Sequence, residues 1–172
     1  MPSPREILRL KYRPAKVRIL FVGESPPHSG RFFYERNSGL YRAVRDAFRV
    51  VDPSLGDDNF LPAFQDAGCY LIDLCRTPVD HLDRKSRERM RVRYEASLGR
   101  QIEALAPETI ITVVRSIRGN VDAAILLTGW KGDVVDLPYP GRWVRNRKEF
   151  IKLLVRELKQ RARYPRMAGP IF

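Results

Sequence analysis

The stretch from Val17 to Phe48 constrains this 172-residue chain more than any other part of it. Val17 to Val22 (VRILFV) is rich in β-forming residues, Gly23 ends the run, and Glu24, Ser25, Pro26, Pro27 and His28 follow at once. The two prolines fix the backbone there and remove two amide donors, so the turn is stiff. A helix is expected from about Ser38 to Phe48, with Leu40, Val44 and Phe48 at i, i+4 and i+8 on one face. A buried strand, a polar turn and a helix make the repeating unit of open α/β sheets. Such sheets place ligand sites outside the carboxyl ends of their strands.

Two common chemistries do not fit this turn. A P-loop has four residues between its glycines and a Lys-Ser/Thr after the second. Here six residues separate Gly23 from Gly30, and Arg31-Phe32 follow. A serine-hydrolase elbow built on Ser25 would need the amide of the next residue for its oxyanion hole. That residue is Pro26, which has no amide hydrogen.

The rest of the chain alternates in the same way. Ser3 to Lys11 reads as a short leading helix with Ser3 as its cap and Pro4 in its first position. Asp52 to Asn59 is rich in turn residues, and Phe60 to Ala67 is a short helix or turn. Cys69 to Leu74 is a second buried strand, ending in the polar turn Cys75-Arg76-Thr77-Pro78. Ser86 to Ala106 reads as a long helix stopped by Pro107. Thr109 to Val114 is a third strand, and Ser116 to about Leu126 a helix. A fourth strand falls within Lys131 to Leu137 and ends in Pro138-Tyr139-Pro140-Gly141. A final helix is expected from Asn146, capped by its side chain, with Glu149 in a capping-box position. This order predicts one α/β domain over residues 1–172, a three-layer α/β/α sandwich around a mostly parallel four-stranded sheet.

Lys and Arg number 32 against 20 acidic residues, a net charge of +12. An excess of this size, mostly arginine, favours an anionic polymer as partner, since the guanidinium fork suits phosphate. No apolar run approaches the roughly 18 residues of a membrane span, and the first residues are too charged for a signal peptide. Cys69 and Cys75 would lie ~20 Å apart in an extended strand, too far for a bridge. They read as core thiols of a reducing compartment, and neither metal nor cofactor is expected. The expectation is a cytoplasmic, monomeric protein.

Turns after the first, second and fourth strands should meet at one edge of the sheet. They would present Glu24, Ser25 and His28, then Asp73 and Arg76, then Tyr139, Arg142 and Trp143, with Phe32, Phe33 and Tyr34 before the first long helix. Aromatic rings beside small polar groups suit a planar base held by stacking and by hydrogen bonds to its edge. The loop Arg142-Trp143-Val144-Arg145-Asn146-Arg147 mixes cations with a large ring, a combination suited to clamping phosphates around an inserted side chain. Arg84 to Arg93 is a dense charge run of the kind that is usually a solvated helix face, and Arg156 to Arg166 is a second basic stretch.

These residues together resemble the uracil-DNA glycosylase superfamily, and most closely its mismatch-specific uracil/thymine branch. Gly23-Glu24-Ser25-Pro26-Pro27 is similar to the family's first-strand G-x-x-P-G/Y turn, and Gly30-Arg31-Phe32-Phe33 to its G-x-x-F loop. Asn37 matches an Asn that opens a helix, Asp73 the base-reading position after the second strand, and Leu137 to Trp143 the last motif. The resemblance covers roughly residues 17–158. It implies hydrolysis of the N-glycosidic bond of a damaged or deaminated base, uracil or a related one, flipped out of DNA during base-excision repair.

By the same resemblance Glu24, Ser25 and Tyr139 are the catalytic candidates. Glu24 or Ser25 would place the attacking water, and Tyr139 would stabilise the departing base. Gly23, Pro26, His28, Phe33, Asn37, Asp73, Arg142 and Trp143 are the substrate-binding candidates, with Phe33 as base stacker and Arg142 or Trp143 as wedge. This chain departs from the family pattern at Ser25, often Asp or Asn there, and at Tyr139, where His or Asn is usual. Both departures admit an alternative: a nucleic-acid-binding protein on the same fold without catalysis. Asp73 departs in another way, because an ionised carboxylate only accepts hydrogen bonds whereas uracil shows an acceptor beside a donor.

Overall fold

A computed structural model describes residues 1–161. The end of the Arg156–Arg166 basic stretch, and the last eleven residues of the expected 1–172 domain, lie outside the described residues. Four strands form one sheet: β1 (Ile19–Gly23), β2 (Cys69–Asp73), β3 (Thr109–Thr112) and β4 (Asp133–Asp136). Their order is β2-β1-β3-β4, and every pairing is parallel. All five residues of β1 are buried, as an interior parallel strand covered on both faces requires. β4, at one margin, has no buried residue.

Among the described residues six α-helices flank the sheet: α1 (Pro4–Lys11), α2 (Gly39–Val51), α3 (Phe60–Asp66), α4 (Arg84–Leu105), α5 (Arg118–Leu126) and α6 (Val144–Arg161). Parallel connections are right-handed, so the direction of each step across the sheet decides which face its helix covers. The step from β1 to β2, through α2 and α3, runs opposite to the steps from β2 to β3 through α4 and from β3 to β4 through α5. The two groups of helices therefore cover opposite faces. The packing agrees: α4 lies against α5, and α6 returns to pack on α2. The result is the three-layer α/β/α arrangement expected from the alternation of strands and helices.

Several boundaries move from their expected places for local reasons. The Asp83 side chain accepts from the Ser86 amide, so α4 starts at Arg84 rather than Ser86. α6 starts at Val144, which puts Asn146 inside the helix and removes its capping role. Ser38 caps α2 by accepting from the Tyr41 amide at 3.0 Å, and the helix continues to Val51, three residues past Phe48. A 3₁₀ turn over Arg115–Ile117 precedes α5. The Ser3 cap and Pro4 start of α1 are as expected.

The core centres on Phe21, Phe48, Phe60 and Phe64, all fully buried. Cys69 and Cys75 are buried, unbridged thiols. The Tyr34 hydroxyl accepts from the Leu71 amide at 2.8 Å and donates to the Leu71 carbonyl at 3.0 Å, on the outer side of marginal strand β2. Among the described residues no helix is long and apolar enough to cross a membrane.

Candidate functional site

The chain turns one way from β1, toward β2, and the other way from β3, toward β4. Adjacent parallel strands that diverge in this way leave a crevice beyond their carboxyl ends. A cavity of about 310 Å³ occupies it. Gly23, Glu24, Ser25, Pro26 and Pro27 follow β1 into its wall, Val113 and Val114 follow β3, and Asp73 comes from the end of β2. Phe32, Phe33, Ser38 and Leu40 approach from the loop before α2 and its first turn, and Tyr139 from the turn after β4.

Seven of the eleven candidates from the sequence thus share one cavity: Gly23, Glu24, Ser25, Pro26, Phe33, Asp73 and Tyr139. Gly23 is paired in register with Asp73. A Cβ on residue 23 would lie 2.5 Å from Asp73 Oδ1, so glycine is what allows the carboxyl to settle over the first turn. Among the described residues no side chain hydrogen-bonds the Asp73 carboxyl. Burial pushes it up to about 7; the nearby Glu24 charge adds to that shift and Arg9 opposes it.

Glu24 is placed differently from a poised base. Arg87 Nε donates to its Oε1 at 2.7 Å and Arg91 Nε at 2.6 Å, with further contacts from both Nη2 atoms. Burial works to raise this carboxyl, but the hydrogen bonds from Arg87 and Arg91 outweigh it and hold the group below its ordinary value. Arg87 and Arg91 stand at i and i+4 on α4, one helical turn apart, so both reach the same carboxylate. Two of the six cations in the charge run that reads as a solvated face are therefore turned inward. The repeat of Arg at positions 87 and 91 was the available signal, and only a fold that places α4 beside β1 gives it meaning.

Ser25 Oγ accepts from the Val79 amide at 3.3 Å, tying the first turn to the loop after β2. Tyr139 is half exposed at the cavity rim, its ring lying over Gly141, where a Cβ would come within 3.1 Å. Burial of its hydroxyl, and then the negative charges of Asp80, Asp73 and Glu24, raise it above the usual phenol value.

Four candidates stand outside the cavity. Asn37 is exposed: its Oδ1 accepts from the Phe32 amide at 2.7 Å and its Nδ2 donates to Glu35 at 3.2 Å. It braces the loop that carries Phe32 and Phe33, and Ser38 holds the capping position. His28 is exposed and packs on the His81 ring at 4.5 Å, while its amide donates to Asp80. Its side chain points to that partner rather than to the pocket lining. Arg142 and Trp143 are exposed ahead of α6, with Trp143 75% accessible.

Phe33 lines the cavity but is also a core residue, edge-on to Tyr34, Tyr41 and Phe60 at 5.1, 5.8 and 6.4 Å. Phe32, grouped with Phe33 and Tyr34 in the sequence but not chosen as the base stacker, lines the cavity beside it and carries the Arg5 guanidinium 5.5 Å from its ring. Asp80 and, after β3, Val113 and Val114 were not marked as site residues, and Arg87 was read only as part of a charge run; strand order brings them here.

The profile of the uracil DNA glycosylase superfamily matches residues 10–161. No curated protein matches the chain.

Proposed function

The chain belongs to the uracil DNA glycosylase superfamily, and we propose that it is a DNA glycosylase that removes a deaminated pyrimidine of the uracil type. The observation that carries this reading is the convergence of Phe33, Asp73 and Tyr139 on one cavity. In it an extruded base would lie against Phe32 or Phe33, with its edge toward Asp73. While Asp73 holds its proton it offers a donor and an acceptor side by side, as an amide does, and so complements uracil O4 and N3–H. Ionised, it only accepts, and O4 is repelled.

Water would attack C1′ of the sugar from the Glu24–Ser25 side as the C1′–N bond breaks and its electron pair leaves with the base. Glu24, ionised and gripped by two arginines, is too weak a base to take the proton. It orients the water and faces the positive charge growing on the sugar. The proton of the attacking water passes to solvent. Tyr139, kept protonated, donates a hydrogen bond to the base oxygen on which negative charge develops. Trp143, exposed and four residues past Tyr139 in the chain, would fill the space that the extruded nucleotide leaves.

The test is incubation with oligonucleotides carrying uracil, hypoxanthine, xanthine or mismatched thymine, followed by alkali cleavage. The expected result is strand scission at uracil that Tyr139→Phe slows about 10- to 100-fold, the loss of one hydrogen bond to developing charge. Abasic product from none of the four lesions would overturn it. The arginine grip on Glu24 favours one second reading, a DNA-binding protein without hydrolysis, and retained binding in that null result would select it.

A further inference from the structure

Two hollows extend the base cavity along one flank. The nearer, about 470 Å³, shares Pro26, Phe32 and Asp73 with the cavity. It shares Arg76 and Thr77 with the farther one, an open groove of about 530 Å³ on α4. The groove presents three guanidiniums (Arg76, Arg93 and Arg100), the hydroxyls of Thr77 and Ser97, and no carboxylate. Arg93, Ser97 and Arg100 stand at i, i+4 and i+7, which puts them on one side of the helix.

Two groups stand out among the cations of α4. Arg87 and Arg91 turn inward to Glu24, and Arg84 pairs with Glu88 at 3.1 Å. Among the described residues Arg93 and Arg100 make no ion pair, Glu103 three residues beyond Arg100 included, and Arg76 only donates to Ser97 at 3.4 Å. Three unpaired guanidiniums over hydroxyl groups repel one another and attract a polyanion. The span from Arg93 to Arg100 is ~10 Å of helix rise, about three steps of a stacked strand at ~3.4 Å each.

We propose that this groove holds backbone phosphates of the single DNA strand on one side of the extruded nucleotide, so that the strand leaves the base cavity along α4. The inference rests on the glycosylase reading for the identity of the polymer. Guanidinium forks take phosphate oxygens in pairs, and the hydroxyls of Thr77 and Ser97, beside Met90 and Tyr94, give contact that does not read sequence. The groove therefore sets affinity and direction, and leaves base choice to the cavity.

The test measures binding of a labelled 16-nucleotide single strand with a central deoxyuridine, by anisotropy, between about 50 and 200 mM salt. The proteins are the wild type, the Arg93→Gln/Arg100→Gln double variant and an equally discharged control, Arg49→Gln/Lys152→Gln. Thermal melts of all three establish equal folding. Loss of two phosphate contacts lowers the slope of log affinity against log salt by about 1.4, and the control keeps the wild-type slope. The preference for the 16-mer over a trinucleotide shrinks in parallel. An unchanged slope, or an equal fall in the control, overturns the groove while the wild type still binds and cleaves. Absence of any DNA complex in the wild type overturns the glycosylase reading and the groove with it.

Discussion

Asp73 is the residue on which recognition and stability meet. Its carboxyl is enclosed by the first turn, with Glu24 nearby, and holds its proton up to about 7. A free aspartate ionises near 4, so between those values the folded chain keeps a proton that the unfolded chain has lost. Folding stability from this group is full below pH 4 and is lost as pH rises through 7, at most about 4 kcal/mol. Asp73→Asn should flatten that dependence: melting temperatures of variant and wild type converge at low pH, and the variant melts higher above pH 7. The same proton decides readout, so KM for a uracil strand should rise above pH 7 in the wild type and stay level in the variant. A wild-type KM that is level from pH 5 to 9 would remove Asp73 from the base edge.

At the scale of elements, α4 matters most, because it joins the charge run to the site. Glu24→Gln leaves Arg87 and Arg91 facing each other without their carboxylate. Arg91 is mostly buried and Arg87 more open, so the cost is about 2 kcal/mol at pH 7, below that of a fully enclosed pair. The Glu24 carboxyl sits below its ordinary value, so its stabilisation is present above about pH 4.5 and lost as pH falls through the folded value. Chemical denaturation should show the variant weaker at neutral pH, with the difference from the wild type shrinking as the pH falls below about 4.5. Strand ends were readable from the sequence to within a residue or two because the apolar runs stop at Gly23, Leu74 and Leu137, and three turns on one sheet edge follow from parallel strands. Arg87 and Phe32 were not readable. Their roles depend on which helix lies beside which strand and on which of two adjacent rings turns inward, and neither leaves a mark in periodicity. The family's motif spacing located the loops, yet it also promoted Asn37, and the polar turn promoted His28; both hold neighbouring turns together.

For the whole molecule, the β2-β1-β3-β4 order is the governing fact. It places the cavity where the chain changes direction, and it makes β1 and β3 the interior of the sheet. Amide exchange should be slowest in β1, with Leu20 and Phe21 exchanging only through global opening, and fastest among the strands in β4, whose residues are all partly open. Mass-spectrometric or NMR exchange reads this directly; equal protection of β4 and β1 would contradict the order. The basic surface adds a second global property, since a net charge of +12 makes any contact with nucleic acid steeply sensitive to salt.

The tyrosine at position 34 has one more consequence. By answering both backbone groups of Leu71 with a single hydroxyl, it occupies the place where a foreign extended chain would otherwise dock. Tyr34→Phe would leave that flank sticky, and the damage would appear as clumping on storage or during refolding well before any loss of catalysis. One phenolic hydroxyl thus limits how many strands this sheet can recruit.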